Sequence, residues 1–210
     1  MHRLHLATPL SWGRMAASCL LAMTLAACST LPKPPVSQTA NSAAQQRMQS
    51  LAAVQQFSLQ AKLAVQYSGK GYTARLEWQH SGQEDNMRIF SPLGQQVALI
   101  ERTAQSVTLT DQNGKQHHAN DVASLTESLL GWRLPLAGLS QWILGIPHSG
   151  SPYQASYVAN GEPVTLTQDD WRIEYEDYQP TALNGTNASL PYTTRLQQQD
   201  IRLKLVIQHW

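Results

Sequence analysis

The side chains of this chain that could do chemistry are few, and their spacing argues against most of it. His117 and His118 are adjacent, and neighbours on a strand point to opposite faces, so the pair cannot share a metal ion. A solvated loop ahead of a helix is the expected setting for them. His148, Ser149 and Gly150 follow Gly145 and Pro147, but a Gly-x-Ser-x-Gly nucleophile elbow needs glycine where Pro147 stands. Asp169, Asp170, Glu174, Glu176 and Asp177 form the one acidic concentration. General acid work needs a carboxyl whose pKa is raised, whereas strand alternation turns Glu174 and Glu176 to solvent. No Gly-x-x-x-x-Gly-Lys-Ser/Thr run is present, so a nucleotide-driven step is not encoded. A formal net charge of +1 without any Lys/Arg run lacks the footprint of a nucleic-acid binder. The reading is of a protein that is not an enzyme, with no metal and no nucleic acid.

Cys28 is different, because its surroundings select a reaction. Arg3 and Arg14 lead into an apolar run over residues 15–26, shorter than the roughly 20 residues of a membrane span, which reads as a secretory signal. The run ends Leu25-Ala26-Ala27-Cys28, which resembles the lipobox of bacterial lipoproteins. That resemblance implies a signal peptide at 1–27, diacylglycerol on the Cys28 thiol and an acyl group on its new amino terminus, with no other cofactor. Losing two arginines takes the formal charge from +1 to −1. Two or more acyl chains anchor a protein stably where one does not, so the chain is expected to be anchored rather than to span. Ser29 stands where lipoproteins retained in the inner membrane usually carry Asp, which implies the outer membrane. Residues 28–45, rich in Pro, Ser, Thr and Ala, read as a lipidated start and tether, of which some fourteen extended residues would reach on the order of 45 Å. Cys19 and Cys28 both precede the expected domain at 46–210, which therefore has no disulfide framework.

Stepping along that domain, Ser42 can cap a helix through Met48, Leu51 and Ala52, after which the period becomes two. Phe57, Leu59, Ala61, Leu63, Val65 and Tyr67 alternate with Ser58, Gln60, Lys62 and Gln66, and the chain returns after Ser68-Gly69-Lys70-Gly71 through Tyr72, Ala74, Leu76 and Trp78. Further strands are expected near 86–90, 95–102, 105–110, 153–158, 162–168, 171–177, 191–198 and 201–209. Between Asp121 and Gly145 the period is helical, with Pro135 separating two helices. One wide antiparallel sheet must curl to bury its apolar face. The fold class is therefore mainly β with a few helices, and a sheet curled under helices encloses a volume like those that hold apolar ligands. The inward set Leu59, Leu63, Leu76, Trp78 and Leu99, with Leu139, Trp142 and Ile143 from the helices, is expected to line or close it. Pro92 and Gly94 suit a turn between two strands and leave Leu93 at an exposed tip, suggesting a membrane-touching finger.

The run Pro135-Leu136-Ala137-Gly138-Leu139-Ser140-Gln141-Trp142-Ile143-Leu144-Gly145-Ile146-Pro147, with Ser91-Pro92-Leu93-Gly94 upstream and the Cys28 motif, resembles the LolB family of outer-membrane lipoprotein receptors. The resemblance implies an incomplete, open antiparallel barrel with a helical lid around a hydrophobic cavity, facing the periplasm from the outer membrane. It further implies partners: the soluble carrier LolA bringing lipoproteins, the lipoproteins as cargo, and the lipid bilayer into which they are released. A monomer is expected. The rival readings are a structural or lipid-binding lipoprotein that uses the same sheet as scaffold without transfer activity, which a dry internal cavity would separate from a receptor, and a periplasmic lipid-modifying hydrolase, which activity on ester substrates would reveal.

Overall fold

The alternating run from Phe57 forms strand β1 (Gln56–Tyr67) and its return forms β2 (Lys70–Ser81). Phe57, Leu59 and Ala61 are buried while Ser58, Gln60 and Lys62 are exposed, so the polarity pattern becomes a one-sided strand. The link Ser68–Gly69 has φ of 49° and 75°, the two positive values of a type I′ hairpin turn, whose twist matches that of the strands.

The computed structural model describes residues 38–210; the signal segment, Cys28 and the first part of the tether lie outside the described residues. The chain begins with α1 (Gln38–Ala52) and, after the first hairpin, continues through β3 (Glu84–Phe90), β4 (Gln96–Arg102), β5 (Val107–Asp111) and β6 (Gln116–Ala119). Two helices follow, α2 (Val122–Leu130) and α3 (Leu136–Trp142). The remaining strands are β7 (Tyr153–Tyr157), β8 (Pro163–Gln168), β9 (Trp171–Leu183), β10 (Thr186–Gln198) and β11 (Ile201–His209). All eleven form one antiparallel sheet in the order β6-β5-β4-β3-β2-β1-β11-β10-β9-β8-β7. The first and last strands meet at its centre, and β6 and β7 are left as free edges, so the barrel stays open. The chain leaves one edge after β6 and re-enters the other at β7, and α2 and α3 occupy that passage.

Three expectations change. Residues 38–45, read as tether, are helical, and Ser42 lies inside the helix rather than at its cap. The reason is tertiary. The backbone of Ala43 and Ala44 rests on Gly161, where an added Cβ would lie 2.4 Å from the Ala43 carbonyl carbon, and Arg47 donates to the carbonyls of Ser189 and Leu144. His117 and His118 sit on β6, not in a loop; His117 faces Asp111 at 3.6 Å while His118 meets the Thr108 hydroxyl at 3.0 Å. Finally, β9 and β10 run further than expected, joined at Asn184–Gly185. Their prolines, Pro180 and Pro191, stand where each strand has a neighbour on one side alone, so no ladder hydrogen bond is lost.

Candidate functional site

Between the buried face of the sheet and the two helices lies a cavity of about 680 Å³. Leu63 and Val65 of β1, Leu76 of β2, Met87 and Ile89 of β3, Ile100 of β4, and Leu203 and Leu205 of β11 form its walls. Thr126 and Leu129 of α2, Trp132 and Leu134 of the connection and Leu139 of α3 form its roof. Lys70, in the first hairpin, is the one charged residue in the lining. Such a space is within the usual size of a ligand pocket, and its walls are mainly aliphatic with polar groups gathered chiefly at the first hairpin, so what it can do is exclude water from an apolar chain.

The roof is assembled by specific contacts. Asp121 caps α2 by accepting from the Ser124 amide at 2.8 Å, as its position before the apolar run predicts. Gly131 ends α2 with φ of 81°, and its carbonyl accepts from the Tyr67 hydroxyl at 2.9 Å, tying the helix end to the far end of β1. The buried Thr126 hydroxyl donates to the Val122 carbonyl at 2.9 Å and accepts from the Leu134 amide at 2.9 Å, folding the connection back on α2. On α3, the Trp142 indole lies over Gly138 and donates to Gln168 Oε1 at 2.9 Å. Gln168 is itself buried and spends its amide nitrogen on His148 and Ser151.

Of the residues expected from sequence, Leu63, Leu76 and Leu139 come together in this cavity. Leu59 and Trp78 share their inward parity but sit in solid core toward the other end of the same strands, and Trp142 and Ile143 are fully buried beneath the roof. Leu99 is a correction. Register places it opposite Arg88 and Thr110, on the outer face, while Ile100 opposite Met87 points inward. The run Val97-Ala98-Leu99-Ile100 is apolar at both parities, so only pairing with β3 decides which side faces the core. Leu93 stands at the β3–β4 turn, 91% exposed. That turn is held by the Ser91 amide donating to the Gln95 carbonyl at 2.8 Å and the Gly94 amide donating to the Ser91 carbonyl at 2.9 Å.

At the filled end of the same strands, outside the cavity lining, lies a polar network that sequence reasoning missed. Asp85 is buried, and its carboxylate accepts from Trp78 Nε1 and His80 Nδ1 at 2.7 Å each and from Arg102 Nε at 2.5 Å. Burial alone would raise this carboxyl, but the hydrogen bonds from His80 and Trp78 and the Arg102 charge outweigh it and hold it below the usual carboxylate range. Phe57 packs edge-on against Trp78 at 5.1 Å and against Trp210 at 6.0 Å, so large rings fill this end of the sheet. The signal was a charged residue on the Met87 parity. A second hollow of about 660 Å³ mixes Met48, Leu51, Leu144 and Ile146 with the polar His80, Arg102, Gln141 and His148, so it is less uniformly apolar than the roofed cavity. His148 Nε2 addresses both Asp169 and, at 3.4 Å, the Ser151 hydroxyl, while Nδ1 faces the Ser149 carbonyl. A nucleophile's base needs carboxylate and hydroxyl on different ring nitrogens, so this cluster is not a triad. Asp169 and Asp170, with φ of 50° and 63°, make the β8–β9 turn. Among the described residues no group of His, Cys, Asp and Glu could hold a metal, and no helix is long and apolar enough to cross a membrane.

Residues 55–210 match the family described as outer membrane lipoprotein LolB. The outer-membrane lipoprotein LolB of Nitrosomonas europaea is 33% identical over 154 residues, which cover 73% of this chain and 72% of that protein. The protein of the same name from Nitrosococcus oceani is 30% identical over 202 residues, 96% of this chain and 98% of that one. Among solved structures, a LolA superfamily protein from Nitrosomonas europaea shares 10% identity at a TM-score of 0.48, over 79% of this chain and 91% of that one.

Proposed function

Because the chain belongs to the outer membrane lipoprotein LolB family, we propose that the roofed cavity receives the acyl chains of lipoproteins handed over by the soluble carrier LolA and yields them to the outer membrane. The coarse role is that of an outer-membrane lipoprotein acting as lipoprotein receptor in the Lol pathway. The observation that carries the finer reading is the cavity of about 680 Å³, lined mainly by apolar side chains, with Lys70 at the hairpin its one charged group. Acyl chains bared to water lose about 0.8 kcal/mol per methylene, tens of kcal/mol for a lipoprotein anchor, so handover needs a dry space on the receiving side. Catalysis is not required, because no covalent bond of the cargo changes. Cys28, through its own acyl chains, keeps the receptor at the bilayer as a monomer. Leu93 at its exposed tip enters the membrane surface when cargo leaves; one leucine is worth roughly 1.5–3 kcal/mol, too little to anchor but enough to orient the cavity mouth.

The test is a transfer assay in which the protein is mixed with LolA carrying a lipoprotein and the two are then separated. Lipoprotein is expected on the receptor. Leu63 is half-buried and touches the cavity without sitting in solid core, so Leu63→Glu is expected to keep the circular dichroism of the parent while losing acceptance. A folded Leu63→Glu protein that accepts cargo normally would show that this cavity is not the acyl site.

A further inference from the structure

Positive charge on the outer face of the sheet is distributed unevenly. On β9 and β10 it is neutralised, with Arg172 against Glu174 at 3.0 Å and Arg195 against Glu176 at 2.9 Å. Toward β1, β2 and β3 it is in excess. Arg75 and Arg88 share the single carboxylate of Glu77 at 3.7 and 3.9 Å, and Lys62 and Lys204 have no acidic partner among the described residues. Lys62 is opposite Val206, and Lys204 is opposite Ala64, so the two lysines are diagonal neighbours across β1 and β11, with backbones about 7–8 Å apart. Arg75 lies directly across from Lys62 on the other side. These three cations line one groove of about 360 Å³ that contains no acidic residue. Like charges in such proximity repel unless an anion lies between them.

The far wall of the same groove is Ser91, Pro92 and Gly94, the base of the turn that exposes Leu93. Ser91 and Pro92 also line the apolar cavity on the other side of the sheet. The turn is therefore the rim between a cationic groove outside and an apolar cavity inside, with a bare leucine at its crest. We infer that the groove between Lys62, Arg75 and Lys204 seats the phosphodiester headgroup of an anionic phospholipid in the receiving bilayer. This rests on the reading above that cargo leaves into a membrane, and it adds which face meets that membrane and which lipid it selects. With Leu93 in the hydrocarbon, the groove beside its base lies at the depth of the headgroups. Lys62 and Lys204 offer a phosphate two point charges, and the Arg75 guanidinium offers it a planar fork of donors.

The test uses the full lipidated protein on vesicles of phosphatidylcholine alone and of phosphatidylcholine with phosphatidylglycerol. Each vesicle-bound sample is treated briefly with an amine-acylating reagent and read by mass spectrometry. A cation near an anionic surface gains roughly fivefold in occupancy, so Lys62 and Lys204 are expected to react several-fold more slowly on the anionic vesicles, with high salt abolishing the difference. Lys115, exposed in the turn between β5 and β6, is the reference and should react equally on both. Equal labelling of Lys62 and Lys204 on the two vesicles overturns the inference. So does equal protection by soluble glycerophosphoglycerol on phosphatidylcholine vesicles, which would mark a site for free anions. In the variant Lys62→Gln/Lys204→Gln, acceptance from LolA should persist while delivery into anionic vesicles falls to the phosphatidylcholine rate. Delivery by the variant that keeps the anionic preference overturns it. Selective protection with no delivery into either vesicle would support the headgroup site and overturn the receptor reading instead.

Discussion

Three donors converge on the Asp85 carboxylate, which has no access to solvent. Its carboxyl titrates below the usual range in the folded protein, since the His80 and Trp78 hydrogen bonds and the Arg102 charge outweigh burial. A depressed folded pKa makes the group stabilising above its unfolded value of about 3.9, and that contribution is lost as pH falls below about 4 toward the folded value. Asp85→Asn removes it at every pH and strands the Arg102 guanidinium, an expected loss of about 3–5 kcal/mol near neutrality. Urea unfolding at neutral and acid pH checks both parts. The variant should be much weaker than the parent at neutral pH and lose less on acidification; identical acid slopes would mean Asp85 does not set the acid limit. The aspartate itself was legible, as a charge on the parity of Met87 and Ile89. Its partners were not, because Arg102, His80 and Trp78 reach it through a strand register that no local pattern states. Leu99 failed for the same reason.

The lid is two helices with unequal hold on the body. α3 is fixed by the Trp142 indole on Gln168 and by Gly138, whose Cβ would lie 2.7 Å from that ring. α2 packs chiefly on β5 and on the edge strand β6, and reaches across the mouth by the Tyr67 hydroxyl on the Gly131 carbonyl. The exposed pair of Arg133 and Glu127 adds little. Of the two, α2 and the Trp132 connection are therefore expected to exchange with solvent more readily than α3. Tyr67→Phe removes one hydrogen bond worth about 1 kcal/mol and should raise amide hydrogen exchange over residues 122–134 roughly fivefold, leaving 139–144 unchanged. A rise spread equally over both helices would argue that the lid moves as one piece. Sequence reasoning found both helices because Asp121, the leucine spacing and Pro135 mark them locally. It missed β6, four residues of mixed polarity with no period to read, and the start of α1, where Ala43 and Ala44 rest on the distant Gly161 turn and Arg47 reaches the Ser189 and Leu144 carbonyls.

At the scale of the molecule, the sheet is wide enough to close but does not, and its free edges are short: four residues in β6 and five in β7. An open sheet leaves its mouth to be covered by the helices rather than by a strand ladder. Whether an inward leucine is core or cavity wall depends on its distance from the filled end. Leu59 and Leu63 share a strand and a face, yet Phe57, Trp78 and Trp210 occupy the space beside the first, while Ala74 and Thr73 leave room beside the second. The number of hairpins and the wide sheet could be read from alternation; this partition of one face could not, because it is a balance of volumes across strands. It also bears on direction of transfer. On the proposed handover, lipoprotein is expected to move from weaker to stronger apolar burial. The loaded receptor is therefore expected to keep its cargo when mixed with excess empty LolA, as measured by separating the two and following the lipoprotein. Leu63→Asn sets a polar group against the acyl chain, and spoiling the burial of about two methylenes at 0.8 kcal/mol each shifts the partition roughly tenfold toward the carrier. If Leu63→Asn leaves that partition unchanged while Leu93 and the lid are intact, the depth of this cavity does not set the direction of transfer.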